Sequence, residues 1–327
     1  MAGGLPAERP ALGGAPGRDA GAGRAGALGG GSTVLSPGLA DRLAAARLDP
    51  AYVERVARDT VAEDLAGGQD VTSVATVPPG AVATADLVAR AAGVVAGLPV
   101  AEAVYEVVCG PAARVRHHCA DGTAVTAGTV LSTVTGPTRG LLTAERSALN
   151  LLGHLSGIAT LTRAWVDAVA GTGATVRDTR KTTPGLRLLE KYAVRCGGGE
   201  NHRLSLADAA LVKDNHILAA GGIVEAFQAV RERFPGLAVE VEADTVGQAL
   251  AAVEAGADLV LLDNFGLDDL REAVRRVAGR ARLEASGGLV LADAAQVAAT
   301  GVDYLAVGAL THSAPRLDVA CDVREGR

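Results

Sequence analysis

Residues 237–264 read LAVEVEADTVGQALAAVEAGADLVLLDN, and their pattern decides the fold. Two short apolar runs, LAVEVEAD and DLVLLDN, flank TVGQALAAVEAGA, whose apolar residues recur at helical spacing and which has a glycine near its end. Strand, helix and strand over so few residues make one βα repeat, in which the two strands lie parallel. The same unit recurs outward: ATVRDTR and DAALVKDN before it, RLEASGG and VDYLAVGA after it, with GLDDLREAVRRVAGR as another intervening helix. The strand ends fall at Arg180, Lys213, Glu242, Asp263, Ser286 and Gly308, in steps of 33, 29, 21, 23 and 22 residues. An open doubly wound sheet and a barrel both fit such repeats. The regular step and the polar or glycine residue at every strand end favour the barrel. GTGATV at 171–176 precedes a strand and cannot cradle a pyrophosphate as a dinucleotide-binding turn does. In a barrel the strand ends converge on one mouth.

Upstream the pattern changes. Residues 1–35 are rich in Gly, Ala and Pro and are expected to be a disordered tail, with no apolar core of a secretory signal. Residues 39–65 carry helical periodicity and AGGQDVTSVATVPPG is turn-rich. From 81 to 135 short strand-like runs alternate with turns around the helix candidate LPVAEAVYEVV. Residues 36–149 therefore read as a small N-terminal α/β domain, with 315–327 able to complete it, and 150–314 as the α/β barrel. ERSALNLLGHLSGIATLTRAWVDAVAG between them is one long amphipathic helix or a helix pair ending at Gly171.

Aromatic residues make up 2% and the net charge is −6, which argue against single-stranded nucleic-acid binding and against a phosphate-backbone reader. No apolar run approaches the roughly 20 residues that span a bilayer. Cys109, Cys119, Cys196 and Cys321 are scattered, with no CxxC pair, as expected in a reduced, cytoplasmic setting. His117-His118-Cys119 reads as a strand or turn edge rather than a metal site, and Cys196 as a packed thiol.

Against that acidic background DTRKTTPGLRLLEKYAVRCGGGENHR, residues 178–203, concentrates Arg180, Lys181, Arg187, Lys191, Arg195, His202 and Arg203. Arg180 and Lys181 end the first barrel strand, and Arg203 follows a GGG turn that permits close backbone approach. Lys213 ends the next strand. These cations suit a small ligand with several negative charges, while Arg187, Lys191 and Arg195 read as the helical spacer between two walls. Glu242 and Asp263 suit ribose hydroxyls or a magnesium ion. Glu240 would share the face of Glu242. Ser286-Gly287-Gly288 and Gly308-Ala309 expose backbone N–H groups suited to phosphate.

These motifs, with LVKDNH, VEVEAD, LLDNF, EASGG and GVDYLAVGALTHSAPRLD, resemble those of the quinolinate phosphoribosyltransferase family, also called nicotinate-nucleotide pyrophosphorylase (carboxylating). The resemblance runs from about Leu39 to Asp318 and includes EDLAGGQDVTS and ERSALNLLGHLSGIAT. It implies an N-terminal α/β sandwich domain, an incomplete, seven-stranded α/β barrel, and a homodimer or a higher assembly such as a hexamer. It implies transfer of phosphoribosyl from 5-phosphoribosyl 1-pyrophosphate to quinolinate with loss of CO2, giving nicotinate mononucleotide in NAD biosynthesis. By the same resemblance Arg146, Thr179, Arg180, Lys181, His202, Arg203 and Lys213 hold the dicarboxylate, with Arg146 given by the neighbouring subunit. Lys181 and Lys213 also meet the pyrophosphate. Lys181, Glu242 and Asp263 would be catalytic, Glu242 and Asp263 also holding the ribose and Mg2+. Ser286, Gly287, Gly288, Val307, Gly308 and Ala309 would take the 5′-phosphate. Two departures are Gly153-His154 and Glu200, the latter a negative charge near the pocket. A relative acting on nicotinate, a phosphoribosyltransferase of a metal-cofactor operon, or a non-catalytic anion-binding paralogue are the competing readings; the full cation set favours the dicarboxylate.

Overall fold

The structure, a computed structural model, describes residues 35–325, so the tail up to residue 34 lies outside the described residues. Helix α1 (Pro37–Ala45) starts where the Ser36 hydroxyl accepts the Leu39 N–H. It stops before Arg47, whose φ of 59° is left-handed, and Asp49 then caps α2 (Pro50–Leu65). The periodicity over 39–65 thus divides in two, because a capping aspartate followed by proline starts a helix and cannot continue one. Within the turn-rich stretch Asp70 caps a short helix, α3 (Val71–Thr76).

The chain continues through β1 (Val82–Ala89), β2 (Gly93–Val94), α4 (Leu98–Cys109), β3 (Arg114–His117), β4 (Ala124–Val125) and β5 (Val130–Pro137). One helix, α5 (Thr138–Ala168), follows in place of the alternative pair. The βα repeats are β6 (Thr175–Arg177), α6 (Arg187–Gly197), β7 (Ala210–Val212), α7 (Asp214–Ala220), α8 (Ile223–Arg233), β8 (Val239–Ala243), α9 (Val246–Glu254), β9 (Leu259–Asp263), α10 (Leu267–Val277), β10 (Arg282–Ser286), α11 (Ala294–Ala298), β11 (Tyr304–Ala306) and α12 (Ala309–His312). Strand β12 (Val319–Glu325) ends the described chain.

An antiparallel sheet has the order β12-β1-β5-β3, so the chain's last strand pairs with β1 of the N-terminal half. The second sheet is the α/β barrel sheet: six parallel strands in the order β6-β11-β10-β9-β8-β7. It is incomplete, since β6 and β7 do not pair with each other. The seventh place is a single parallel bridge from Arg177 to Glu200. Helix α5 packs against α4 and α6 and buries Leu141, Leu152, Leu155 and Ile158 completely.

Glycines on α5 let the returning chain cross it. A Cβ on Gly157 would collide with the Pro315 carbonyl, and one on Gly153 would lie 2.9 Å from the Leu317 carbonyl oxygen. The Leu317 N–H also donates to the Gly153 carbonyl at 3.0 Å, so the two backbones meet where a side chain at 153 would intrude.

Candidate active site

Strand pairing sets Asp263 opposite Ser286, and Glu242 opposite Leu261, two residues before Asp263 on the same face of β9. A cavity of about 290 Å³ opens there. Thr179, Arg180, Lys181, His202, Arg203, Lys213, Glu242, Asp263, Ser286 and Gly287 line it, with Glu284 and apolar side chains as its floor and walls.

Strand β6 ends three residues before Arg180, so Arg180 and Lys181 stand on the loop that follows it. That loop is held at several points. The Lys181 N–H donates to the Thr179 hydroxyl at 3.0 Å, and the Thr311 hydroxyl donates to the Lys181 carbonyl at 2.7 Å. Beneath it lies Asp178, which is fully buried. Lys191 Nζ forms an ion pair with Asp178 and donates to the His202 carbonyl at 2.9 Å. The Asn201 amide and the His202 N–H also donate to the Asp178 carboxylate, at 2.6 and 2.9 Å. Burial pushes the Asp178 carboxyl pKa up and the Lys191 ammonium pKa down, against their mutual attraction. The spacer lysine thus ties the Arg180 wall to the His202–Arg203 wall.

Electrostatics divide the cavity. On one side, burial and then the neighbouring Arg180 guanidinium lower the Arg203 pKa. Arg180 Nε is buried without a hydrogen-bond partner among the described residues. Two nearby guanidiniums and an unpaired donor leave space for an anion. On the other side, Lys213 Nζ donates to Glu242 Oε2 at 2.5 Å. Burial, then the Glu242 carboxylate, push the Asp263 pKa up. Two neighbouring carboxylates form an oxygen donor set suited to a hard divalent cation.

Sequence reasoning named His202 and Glu240 but missed Glu284 and Arg177, which join them in a layer beneath. His202 Nε2 lies 2.7 Å from Glu240 and 3.4 Å from Glu284, and Arg177 Nη1 lies 3.1 Å from Glu284. Period-2 alternation carried the signal: Glu240 precedes Glu242 and Glu284 precedes Ser286 on their strands. Burial opposes the imidazolium, but hydrogen bonds to Glu240 and Glu284 outweigh it and raise the His202 pKa to about 9. The Arg203 N–H points at Nδ1 at 2.7 Å and works against a second proton there; the two carboxylates are the larger influence. A folded pKa above the unfolded value of 6.5 contributes stability that is complete below pH 6.5 and lost as pH rises through about 9. Denaturant unfolding of the wild type should show that loss between those limits, and His202→Gln should flatten it. An unchanged slope in the variant would assign the titration elsewhere.

The remaining expected residues lie around this cavity in different ways. Gly308 backs onto Lys181, its would-be Cβ 3.0 Å from Lys181 Cδ. Val307 is buried and its N–H donates to the Arg177 carbonyl. Ala309 opens α12, and Gly288 is exposed with a φ of 60°. Arg146 is exposed on α5 and does not line the cavity. Glu200 is 58% exposed, 3.8 Å from Arg177, and is not among the cavity residues. His117 bonds Glu102 and Ser132 as part of a strand edge, and burial raises the Cys196 thiol to about 12, as befits a packed thiol. Among the described residues no helix is long and apolar enough to cross a membrane.

Family models match both halves of the chain: the N-terminal domain of quinolinate phosphoribosyl transferase over residues 70–156 and its C-terminal domain over 158–322. The nicotinate-nucleotide pyrophosphorylase [carboxylating] of Mycobacterium leprae is 54% identical over 275 residues, 82% of this chain and 97% of that protein. Quinolinate phosphoribosyltransferase [decarboxylating] 1 of Nicotiana glauca is 37% identical over 294 residues, covering 84% of this chain and 83% of its own. The crystal structure of NadC from Streptococcus pyogenes superposes with a TM-score of 0.80 at 37% identity, covering 90% of this chain and all of that one. A barrel mouth lined by cations on one side and paired carboxylates on the other is thus found on a chain that, over both of its domains, belongs to the quinolinate phosphoribosyl transferase family.

Proposed function

We propose that this chain transfers the phosphoribosyl group of 5-phosphoribosyl 1-pyrophosphate to quinolinate, releasing pyrophosphate and CO2 and forming nicotinate mononucleotide. The observation that carries the substrate choice is the mutual repulsion of Arg180 and Arg203 around an unpaired, buried Arg180 Nε. A ring with two adjacent carboxylates answers both guanidiniums; a monocarboxylate answers one. Arg180 and Arg203 hold the dicarboxylate and fix the ring nitrogen toward the sugar. Lys181 and Lys213 face the departing pyrophosphate. As the ribose C1–O bond breaks, oxocarbenium-like charge develops, and the Glu242 and Asp263 carboxylates stabilise it. The ring nitrogen then bonds to C1, its positive charge stabilises the electron pair left on ring carbon 2 as the 2-carboxylate departs as CO2, and a proton from solvent takes up that pair to give the C–H bond of nicotinate mononucleotide. Glu242 and Asp263 would hold Mg2+, which supplies charge neutralisation for the diphosphate. Ser286, Gly287 and the backbone near Gly308 would receive the 5′-phosphate.

Binding measured by calorimetry tests the acceptor. Quinolinate should bind at least tenfold more tightly than nicotinate, and Arg203→Ala should erase the difference. Equal affinities in the wild type would remove the case for a dicarboxylate.

The working form in this reading is a homodimer in which Arg146, exposed on α5, completes the partner's site. Arg146→Ala and Lys181→Ala should each be inactive. Mixed after mild dissociation, they should recover roughly a quarter of wild-type turnover, the share for random mixing with one intact site per hybrid. No recovery, with hybrids shown to form, would make each site self-contained. The four cysteines are unpaired, as a reduced, cytoplasmic setting would keep them.

A further inference from the structure

Asn264 follows Asp263 immediately and has a φ of 56°, one of four non-glycine residues with positive φ among those described. That backbone region costs an L residue energy, least for Asn and Gly. Its side-chain amide donates to Asp263 Oδ2 at 2.7 Å. Its N–H donates to the Ser286 carbonyl at 2.9 Å, across to the next strand end. The contact with the neighbouring loop leaves no spare room: a Cβ on Gly287 would lie 2.6 Å from Asn264 Cγ and 2.8 Å from its backbone nitrogen. Among the described residues Asp263 has no other side-chain donor within hydrogen-bond distance; Lys213 Nζ bonds Glu242. The left-handed turn thus brings the Asn264 amide onto one oxygen of the carboxylate, with the Gly287 backbone close against it.

Resting on the ribose role given above to Asp263, we propose that Asn264 is a positioning residue that fixes the Asp263 carboxylate toward the ribosyl donor. The pairing keeps one Asp263 oxygen engaged and presents the other to the sugar side of the cavity. It also joins the acid of β9 to the phosphate-side loop of β10, so that one contact sets the spacing of both.

Two variants keep the backbone turn and change only the amide. Asn264→Gly relieves the left-handed strain and removes the donor. Asn264→Asp tolerates the same φ but turns an acceptor toward Asp263. Kinetics, donor binding by calorimetry and thermal midpoint are measured for both, with Asp263→Asn alongside. Asn264→Gly should keep its thermal midpoint and the KM for quinolinate. Its affinity for 5-phosphoribosyl 1-pyrophosphate in the presence of Mg2+ should fall about ten- to a hundredfold, with a matching fall in kcat/KM for that donor. Asn264→Asp should be impaired further, because two carboxylates then oppose each other. Wild-type donor affinity and kinetics in Asn264→Gly, with Asp263→Asn inactive, would overturn this inference and reduce Asn264 to a turn residue. A fully active Asp263→Asn would instead sink the role of Asp263 on which it rests.

Discussion

Glu242→Gln should lower kcat by about a hundred- to a thousandfold while leaving the protein folded. Glutamine keeps the shape of the side chain at the end of β8, a strand buried at every position, so packing is retained. What changes is charge. Lys213 loses the carboxylate it meets at 2.5 Å, and Asp263 loses the neighbour that raises its pKa. The developing positive charge on the ribose then has one facing carboxylate instead of two. Arg180 and Arg203 are untouched, so KM for quinolinate should change little. The direction of the Asp263 pKa adds a second expectation: with Glu242 neutral, Asp263 should ionise at lower pH, and the acid limb of the activity profile should move down. Steady-state kinetics across pH check both. A variant with undiminished kcat would place the charge stabilisation elsewhere.

Lys191→Met should cost about 3–5 kcal/mol of stability and lower the thermal midpoint by about 5–10 °C. Lys191 and Asp178 are both fully buried, and burial shifts both pKa values toward their neutral forms. Such a pair need add little stability over an apolar one, but removing one partner strands a charge. With methionine at 191, Asp178 keeps only the Asn201 amide and the His202 N–H as donors. The His202 carbonyl also loses its donor. Asp178→Leu combined with Lys191→Met should recover part of the lost stability but not activity, since the tie between the two cationic walls is gone. Denaturant midpoints and turnover of the three variants separate these effects. A single variant as stable as the wild type would mean that Asp178 is protonated in the folded protein.

The sequence disclosed the barrel because each strand ends near a residue that would be out of place in a core: Lys213, Glu242, Asp263 and Ser286 stand within one residue of their strand ends. Periodicity located the elements, while local chemistry drew their limits, as where Asp49-Pro50 split one periodic stretch into two helices. Contacts between distant residues were hidden. A lysine in a helical spacer ordinarily lies in water, and nothing in the thirteen residues separating it from Asp178 announces a buried pair. His154 and Glu190, 36 residues apart, meet at 2.9 Å where the glutamate also accepts the Thr183 N–H of the cationic loop. Nothing in the sequence around Asn264 marks its left-handed backbone or its bond to Asp263. Alternation did point to Glu240 beside Glu242; its partner His202 comes from a segment with no strand of its own.

The central claim is the reaction itself, and carbon balance tests it most directly. The purified protein is incubated with Mg2+, 5-phosphoribosyl 1-pyrophosphate and quinolinate labelled in its 2-carboxylate, while CO2, pyrophosphate and nucleotide are followed together. One labelled CO2 and one pyrophosphate should appear for each nicotinate mononucleotide. Turnover of nicotinate with no CO2 from quinolinate would contradict the account.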